Sequence, residues 1–330
     1  MRYLTTLLRR SRRLFFVLVK VLLPVMIAVQ LGQRMGWVDA IANAIAPAIG
    51  WLGLPPEAGI IWVTSVFVGV YGAIGALVGF APTLEISTGQ FSALAAMVLF
   101  AHALPVEQAI VRQAGASFWA TAGLRVGAAL LYGAAITWVC RVTGVLAEPL
   151  SLDWLTSAGG QPDAGFLEWL ASTALSLGLT FFIIAFLLVL LDFLEWVGAT
   201  RRITAVMAPV LRVSGLPPEA APVTTVGVLL GLTYGGALII EEAQRRAFSK
   251  RTRFLALAWL SLSHALIEDT LLLLALGANV WIILVGRLLL TMAIVAVLAA
   301  LLRNHDGDPG SLARPDDDTG SLSGAGARRS

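Results

Sequence analysis

The sequence is poor in the residues from which most soluble active sites are built. It has one cysteine, Cys140, and three histidines among 330 residues. A single thiol excludes a disulfide framework and a thiolate metal cluster within one chain. Charge is scarce as well, with 13% charged residues against 58% hydrophobic ones, a balance that excludes one ordinary soluble domain. The formal net charge of +3 comes mainly from arginines between apolar segments. No soluble basic domain exists to engage nucleic acid, so nucleic acid is excluded as a partner.

What the chain has instead is long apolar runs. Leu14 to Leu31, Ile60 to Phe80, Ser117 to Cys140, Leu170 to Leu191 and Trp281 to Leu302 each approach the roughly 20 residues that span the hydrocarbon core of a bilayer. A barrel would show short alternating segments, so the fold class expected is all-α, a polytopic membrane protein whose first partner is the lipid bilayer. The basic start (Arg9, Arg10, Arg12, Arg13) before the first run is like a signal peptide. That run is long, however, and lacks a small-residue cleavage site before Gln33 and Arg34, so it is expected to be a retained first helix. From Arg303 onward the chain has almost no large apolar residue and is expected to be disordered.

Shifted by 162 positions, residues 38 to 140 align with 200 to 302 without a gap, the mark of an internal repeat. Gly53-Leu54-Pro55-Pro56-Glu57-Ala58 recurs whole as Gly215-Leu216-Pro217-Pro218-Glu219-Ala220. His102-Ala103-Leu104 recurs as His264-Ala265-Leu266, Gly115-Ala116 as Gly277-Ala278, Trp119 as Trp281 and Arg125 as Arg287. The expected organisation is a basic cytoplasmic N-terminus (1–13), a first repeat (14–142), a linker (143–167), a second repeat (168–302) and the tail (303–330).

Each half reads as one long helix, an element broken by proline and glycine, and two further helices joined by a tight turn. The prolines of the broken element cannot continue a preceding helix but suit the first turn of a new one. Glu57 and Glu219 fall in that first turn, where the helix dipole favours a carboxylate. Capping explains them, and so does ligand binding, because interrupted apolar segments at matching positions in two halves mark a transporter's midplane site. Positive charge belongs inside. With re-entrant or twice-crossing broken elements the halves are inverted, and the basic N-terminus, Arg112, Arg201, Arg202, the Arg245 to Arg253 segment and Arg303 are all cytoplasmic. Both termini are then on the cytoplasmic side of the inner (plasma) membrane.

Counted from the turns at Gly115 and Gly277, Glu107 shares a level with Arg125, and Glu268 and Asp269 share one with Arg287, about 13 to 15 Å from the turn. A lone charge at mid-depth costs at least about 2.5 kcal/mol, so structural pairs of acid and arginine are expected, holding each hairpin. His264 and Glu268 are spaced to share one helix face. Two ligands alone make no metal site, and a proton relay or substrate hydrogen bond suits them better. No metal and no cofactor is expected. The matched His102 is either a second such site or a histidine satisfied by a backbone carbonyl. Gly69, Gly72, Gly75 and Gly79, with Gly227, Gly231, Gly235 and Gly236, are placed for close helix packing.

The duplicated Pro-Pro-Glu elements, the glycine-rich helix after them and the segment Ser263-His264-Ala265-Leu266-Ile267-Glu268-Asp269-Thr270 resemble the nucleoside-recognition or Gate domain family, over residues of about 20 to 302. That family includes spore maturation proteins and is related to concentrative nucleoside transporters and the membrane core of ferrous iron transporters. The resemblance implies an inverted-repeat transport core with Glu57, Glu219, His264, Glu268 and Asp269 lining its path. A GTP-binding loop and the iron transporter's membrane cysteines are missing here, which argues against ferrous iron. The expected function is therefore a transporter or channel core for a small polar solute or ion, with the nucleoside class implied by the resemblance, working as a homo-oligomer or beside a second membrane subunit. The alternative is a non-transporting scaffold of a hetero-complex. An enzyme ranks last, since no nucleophile or phosphate loop accompanies the histidine.

Overall fold

A computed structural model describes residues 34–152, 196–217, 220–231 and 248–303, with isolated helical positions within 24–32 and 171–193. Glu219, the acids of the linker beyond residue 152, Arg245, Arg246 and the tail lie outside the described residues. The described residues are helical, with no strand among them beyond a single bridge between Ser87 and Pro149.

The first half contains α1 (Trp37–Trp51), α2 (Pro56–Val68), α3 (Val70–Phe80), α4 (Thr88–Phe100), α5 (Leu104–Gln113) and α6 (Phe118–Thr143). The second contains α7 (Ala199–Val213), α8 (Ala221–Leu230), α9 (Lys250–Ser263), α10 (Glu268–Ala275), then a π-helical turn (Trp281–Gly286) that runs into α11 (Arg287–Arg303). The Pro-Pro-Glu element breaks where its prolines dictate. Gly53 turns the chain at φ 70, Pro55 is extended, and α2 starts at Pro56 with Glu57 in its first turn. In the second copy Gly215 turns at φ 84.

Two further breaks in each half go beyond the proline rule. The α2–α3 segment is cut at Gly69 with φ 103, and α8 ends at Gly231 with φ 96. Only glycine tolerates that backbone freely. The other break corrects an expectation: the first helix of each closing pair is not continuous. It unwinds at Ala101–Ala103 between α4 and α5, and at His264–Ile267 between α9 and α10. Ala103 and Ala265 both take the left-handed conformation, each at φ 47. Alanine sits there at a cost of order 1 kcal/mol or more, which the surrounding bonds must offset.

Among the described residues, four helical segments are long and apolar enough to cross a bilayer: Thr88–Gln113, Phe118–Thr143, Lys250–Ala275 and Trp281–Leu302. The two that carry the histidine breaks form the inside, with 67% of the window buried in each, whereas the other two are only 22% and 28% buried and cover them from outside. The chain is thus an all-helical membrane protein. At about 1.5 Å per residue, His102 lies some 20 Å from the start of α4 and a similar distance from the end of α5, near mid-depth.

The breaks cross one another. A Cβ placed on Gly69 would sit 3.6 Å from Ala103 Cβ, and one on Gly231 would sit 3.8 Å from Ala265 Cβ. Ala103 N donates to Ser65 O (2.9 Å) and Leu266 N to Val228 O (3.0 Å), so each unwound segment bonds the end of the neighbouring half-helix. We expect Gly69→Ala and Gly231→Ala each to destabilise by more than about 1 kcal/mol, read as a lower thermal midpoint in detergent. Gly123→Ala, in open space on α6, leaves the midpoint unchanged or raises it. Equal midpoints for all three contradict the strained crossing.

Candidate functional site

The end of a helix leaves carbonyls without partners, and in a membrane interior water does not satisfy them. The histidines do part of this work. His102 Nδ1 lies 2.9 Å from Val98 O and His264 Nδ1 lies 2.9 Å from Leu260 O. A carbonyl only accepts, so in each ring Nδ1 carries the proton and donates, leaving Nε2 with a lone pair when the ring is neutral. The two Nε2 atoms face each other at 3.1 Å, with ring centroids 4.9 Å apart.

Two arginines close the remaining carbonyls. Arg125 Nε donates to Phe100 O (2.7 Å), its Nη2 to His102 O (2.9 Å) and its Nη1 to Glu107 Oε2. Arg287 repeats the pattern with Nε on Leu262 O (2.9 Å) and Nη2 on His264 O (3.3 Å), and the same Nη2 reaches across to Leu99 O (3.0 Å) at the end of α4. Both guanidiniums have no solvent exposure. Trp62 Nε1 takes Met97 O at 3.2 Å, so all four last carbonyls of α4, at residues 97, 98, 99 and 100, accept a side-chain donor.

The carboxylates sit crosswise between the halves. Glu107 Oε1 lies 3.1 Å from His264 Nε2 and 3.5 Å from His102 Nε2, while Asp269 Oδ2 lies 3.6 Å from His102 Nε2. The acid of each half therefore faces the histidine of the other. Glu107 and Asp269 are 162 positions apart, but aspartate is one methylene shorter. Asp269 reaches no arginine within 4 Å among the described residues, and Asp269 Oδ2 and Arg287 Nη1 are buried without a hydrogen-bond partner. Where an ion pair of Arg287 with Glu268 or Asp269 is expected from depth, the structure instead holds Arg287 on carbonyls alone.

Glu268 does not join His264. The i, i+4 face assumed for them needs a continuous helix, and the left-handed Ala265 removes it. Glu268 is exposed instead and accepts a hydrogen bond from Tyr71 OH at 3.3 Å, just past the Gly69 break. Tyr71 carries no signal in the sequence that marks it for this role. Glu57 is not brought to the cluster: it starts α2, whose opposite end meets Ala103, about 18 Å away along the axis. His102, Glu107, Asp269 and His264 are the residues brought together, and His102, His264 and Asp269 place their ligand-type atoms within 4.8 Å of one another. Side chains of this kind have the donors and acceptors to hold a cation or proton or to hydrogen-bond a polar solute.

Among curated proteins, the chain is similar to an uncharacterized membrane protein, YvoD, of Bacillus subtilis (strain 168). The two are 28% identical over 283 residues, covering 83% of this chain and 88% of that protein. No family model matches the chain, and no solved structure matches it. The resemblance to the nucleoside-recognition family thus stands on its motifs alone.

Arg125→Leu frees the carbonyls of Phe100 and His102 and leaves Glu107 without its cation, a loss of about 3 to 5 kcal/mol for a broken buried pair. We expect monodisperse recovery in detergent to collapse, and Arg125→Lys not to restore it, since one ammonium cannot bond three acceptors in a planar fork. Recovery equal to the unmodified protein contradicts the capping role.

Proposed function

We propose that the chain is the core of a membrane transporter for a small polar solute or ion, built from two repeated halves of opposite orientation in a bacterial inner membrane. One observation carries the reading: helices from both halves break at mid-depth, and a buried group of two imidazoles and two carboxylates lies where the breaks meet. Discontinuous helices at a repeat interface are the usual way a transporter presents a site at the midplane, because the half-helix ends supply polar groups without leaving backbone facing lipid.

The duplication is supported by backbone conformation. Positive φ recurs at 162-residue offsets in Gly36 and Gly198 (71 and 72), Gly53 and Gly215 (70 and 84), Gly69 and Gly231 (103 and 96), Ala103 and Ala265 (47 and 47), and Gly115 and Gly277 (92 and 101). Inversion is supported by the placement of the arginines, and the similarity to YvoD, itself a membrane protein, agrees with the bilayer setting. In this reading the solute docks on Glu107, Asp269 and the two imidazoles. The halves rock about that point so that the site opens to one side at a time. Glu268 and Tyr71, outside the buried group, guard one approach to it. The nucleoside class is what the family resemblance adds. No bond-making chemistry is assigned.

Orientation is tested with single cysteines in a Cys140→Ala background. Gln113→Cys and Ala275→Cys, both exposed and 162 positions apart, are expected to label from opposite faces of the membrane with an impermeant maleimide. Labelling from one face contradicts inversion. Transport is tested in proteoliposomes with a panel of nucleosides, metal ions and organic anions, where Asp269→Asn, which breaks no arginine pair, is expected to keep its fold and lose at least about tenfold in uptake rate, the size of a removed charge-assisted bond. No flux of any panel member by the unmodified protein contradicts the proposal.

A further inference from the structure

The histidine pair is not stable as a set of neutral acceptors. Each Nδ1–H is committed to a carbonyl, so the two Nε2 lone pairs point at one another across 3.1 Å, and the atoms beside them are carboxylate oxygens, which also only accept. Such a group calls for a cation. We propose that His102 Nε2, His264 Nε2 and the Asp269 carboxylate bind a divalent transition-metal ion of zinc-like preference, with Glu107 Oε1 or a solvent oxygen in the fourth position.

The distances suit a four-coordinate ion. Bonds of about 2.0 to 2.1 Å in a tetrahedron separate ligand atoms by about 3.3 Å. Four edges are close to this, 3.1 Å between the imidazoles, 3.6 Å from His102 Nε2 to Asp269 Oδ2, and 3.1 and 3.5 Å from Glu107 Oε1 to the two imidazoles, while the His264 to Asp269 edge is longer but within 4.8 Å, so a bound ion draws Asp269 inward. The orientation of the rings suits it too, since a metal-binding histidine donates its other N–H to a carbonyl or carboxylate that fixes its tautomer. Asp269 Oδ2 is buried and has no hydrogen-bond partner, as an oxygen reserved for a ligand is. Imidazole with carboxylate and no thiolate selects zinc and its first-row neighbours over calcium or magnesium.

Charge permits binding. Within the buried group Glu107 and Asp269 balance Arg125 and Arg287, and the exposed Glu268 beside it brings the neighbourhood to a formal −1 that one divalent ion turns into +1. Arg125 occupies only Oε2 of Glu107, leaving Oε1 free. With a solvent oxygen in the fourth position the site is open in the way that sites of exchange and catalysis are; with Glu107 there it is closed by four protein ligands as structural zinc sites are. That the ion is cargo rests on the transport reading; that it binds rests on this geometry alone.

The test loads the chelator-stripped full chain in detergent with Co2+ and with Zn2+. The expected result is one Co2+ per chain with the intense visible bands of a four-coordinate ion. X-ray absorption of the Zn2+ form should show two imidazoles with oxygen ligands. Asp269→Asn and His102→Gln are each expected to weaken binding by about 100-fold, the upper end of losses seen even for groups that only orient ligands. The weak bands of six-coordinate Co2+, a zinc shell without imidazole, or unaltered affinity in folded Asp269→Asn overturns the proposal. If either variant misfolds, the Co2+ and Zn2+ spectra of the unmodified chain decide alone. In proteoliposomes, metal bound without metal flux upholds the site and overturns its use as cargo. Flux of another solute with no metal bound overturns the site and leaves the transport reading intact.

Discussion

A backbone carbonyl at a helix break inside a membrane has nowhere to turn except the protein, and the two buried arginines answer that constraint. Arg125 and Arg287 carry five donors each in a fixed planar fork. They spend them on Phe100, His102, Leu262, His264 and Leu99 carbonyls. Without them, α4 and α9 cannot stop at mid-depth, because every unsatisfied group there costs several kcal/mol. With them, a left-handed alanine and an unwound His-Ala-Leu segment become tolerable. Arg287 also reaches from its own half to the end of α4, so the same device ties the halves together.

The carboxylates follow from the arginines. Two guanidiniums held on neutral carbonyls bring two positive charges into a low-dielectric interior, and acids near them offset part of that cost. The halves do this unequally. Glu107 reaches Arg125, whereas the shorter Asp269 stops beside His102. The difference of one methylene turns a duplicated structural device into a site with one satisfied acid and one reactive one. Near-symmetric architecture thereby supports asymmetric chemistry.

Several features were legible in the residues. Proline chemistry placed the start of α2 at Pro56, the apolar runs Ser117 to Cys140 and Trp281 to Leu302 marked two of the four candidate spans while Ile60 to Phe80 proved to be cut at Gly69, and equal spacing from Gly115 put Glu107 beside Arg125. The shift of 162 residues aligned His102 with His264 but did not say that they touch, because an internal repeat fixes equivalence and leaves distance open. The breaks at the histidines were invisible for a different reason. His-Ala-Leu contains no glycine, and in the second half no proline follows it, so nothing local opposes a helix; tertiary hydrogen bonds impose the unwinding. The i, i+4 rule consequently assigned Glu268 to His264, when the broken helix brings Asp269 into the group and turns Glu268 toward Tyr71.

The central claim is that the two helix breaks meet through a pair of Nδ1-protonated imidazoles. Solid-state NMR measures this directly. The chain has only three histidines, so ring-15N-histidine labelling in bilayers, with His305→Gln for assignment and chelated metal, yields two resolved imidazoles. The account predicts a close-range 15N–15N contact between the Nε2 atoms of His102 and His264, with protons on both Nδ1 atoms. Two imidazoles without dipolar contact, or carrying their protons on Nε2 with Nδ1 bare, would contradict it.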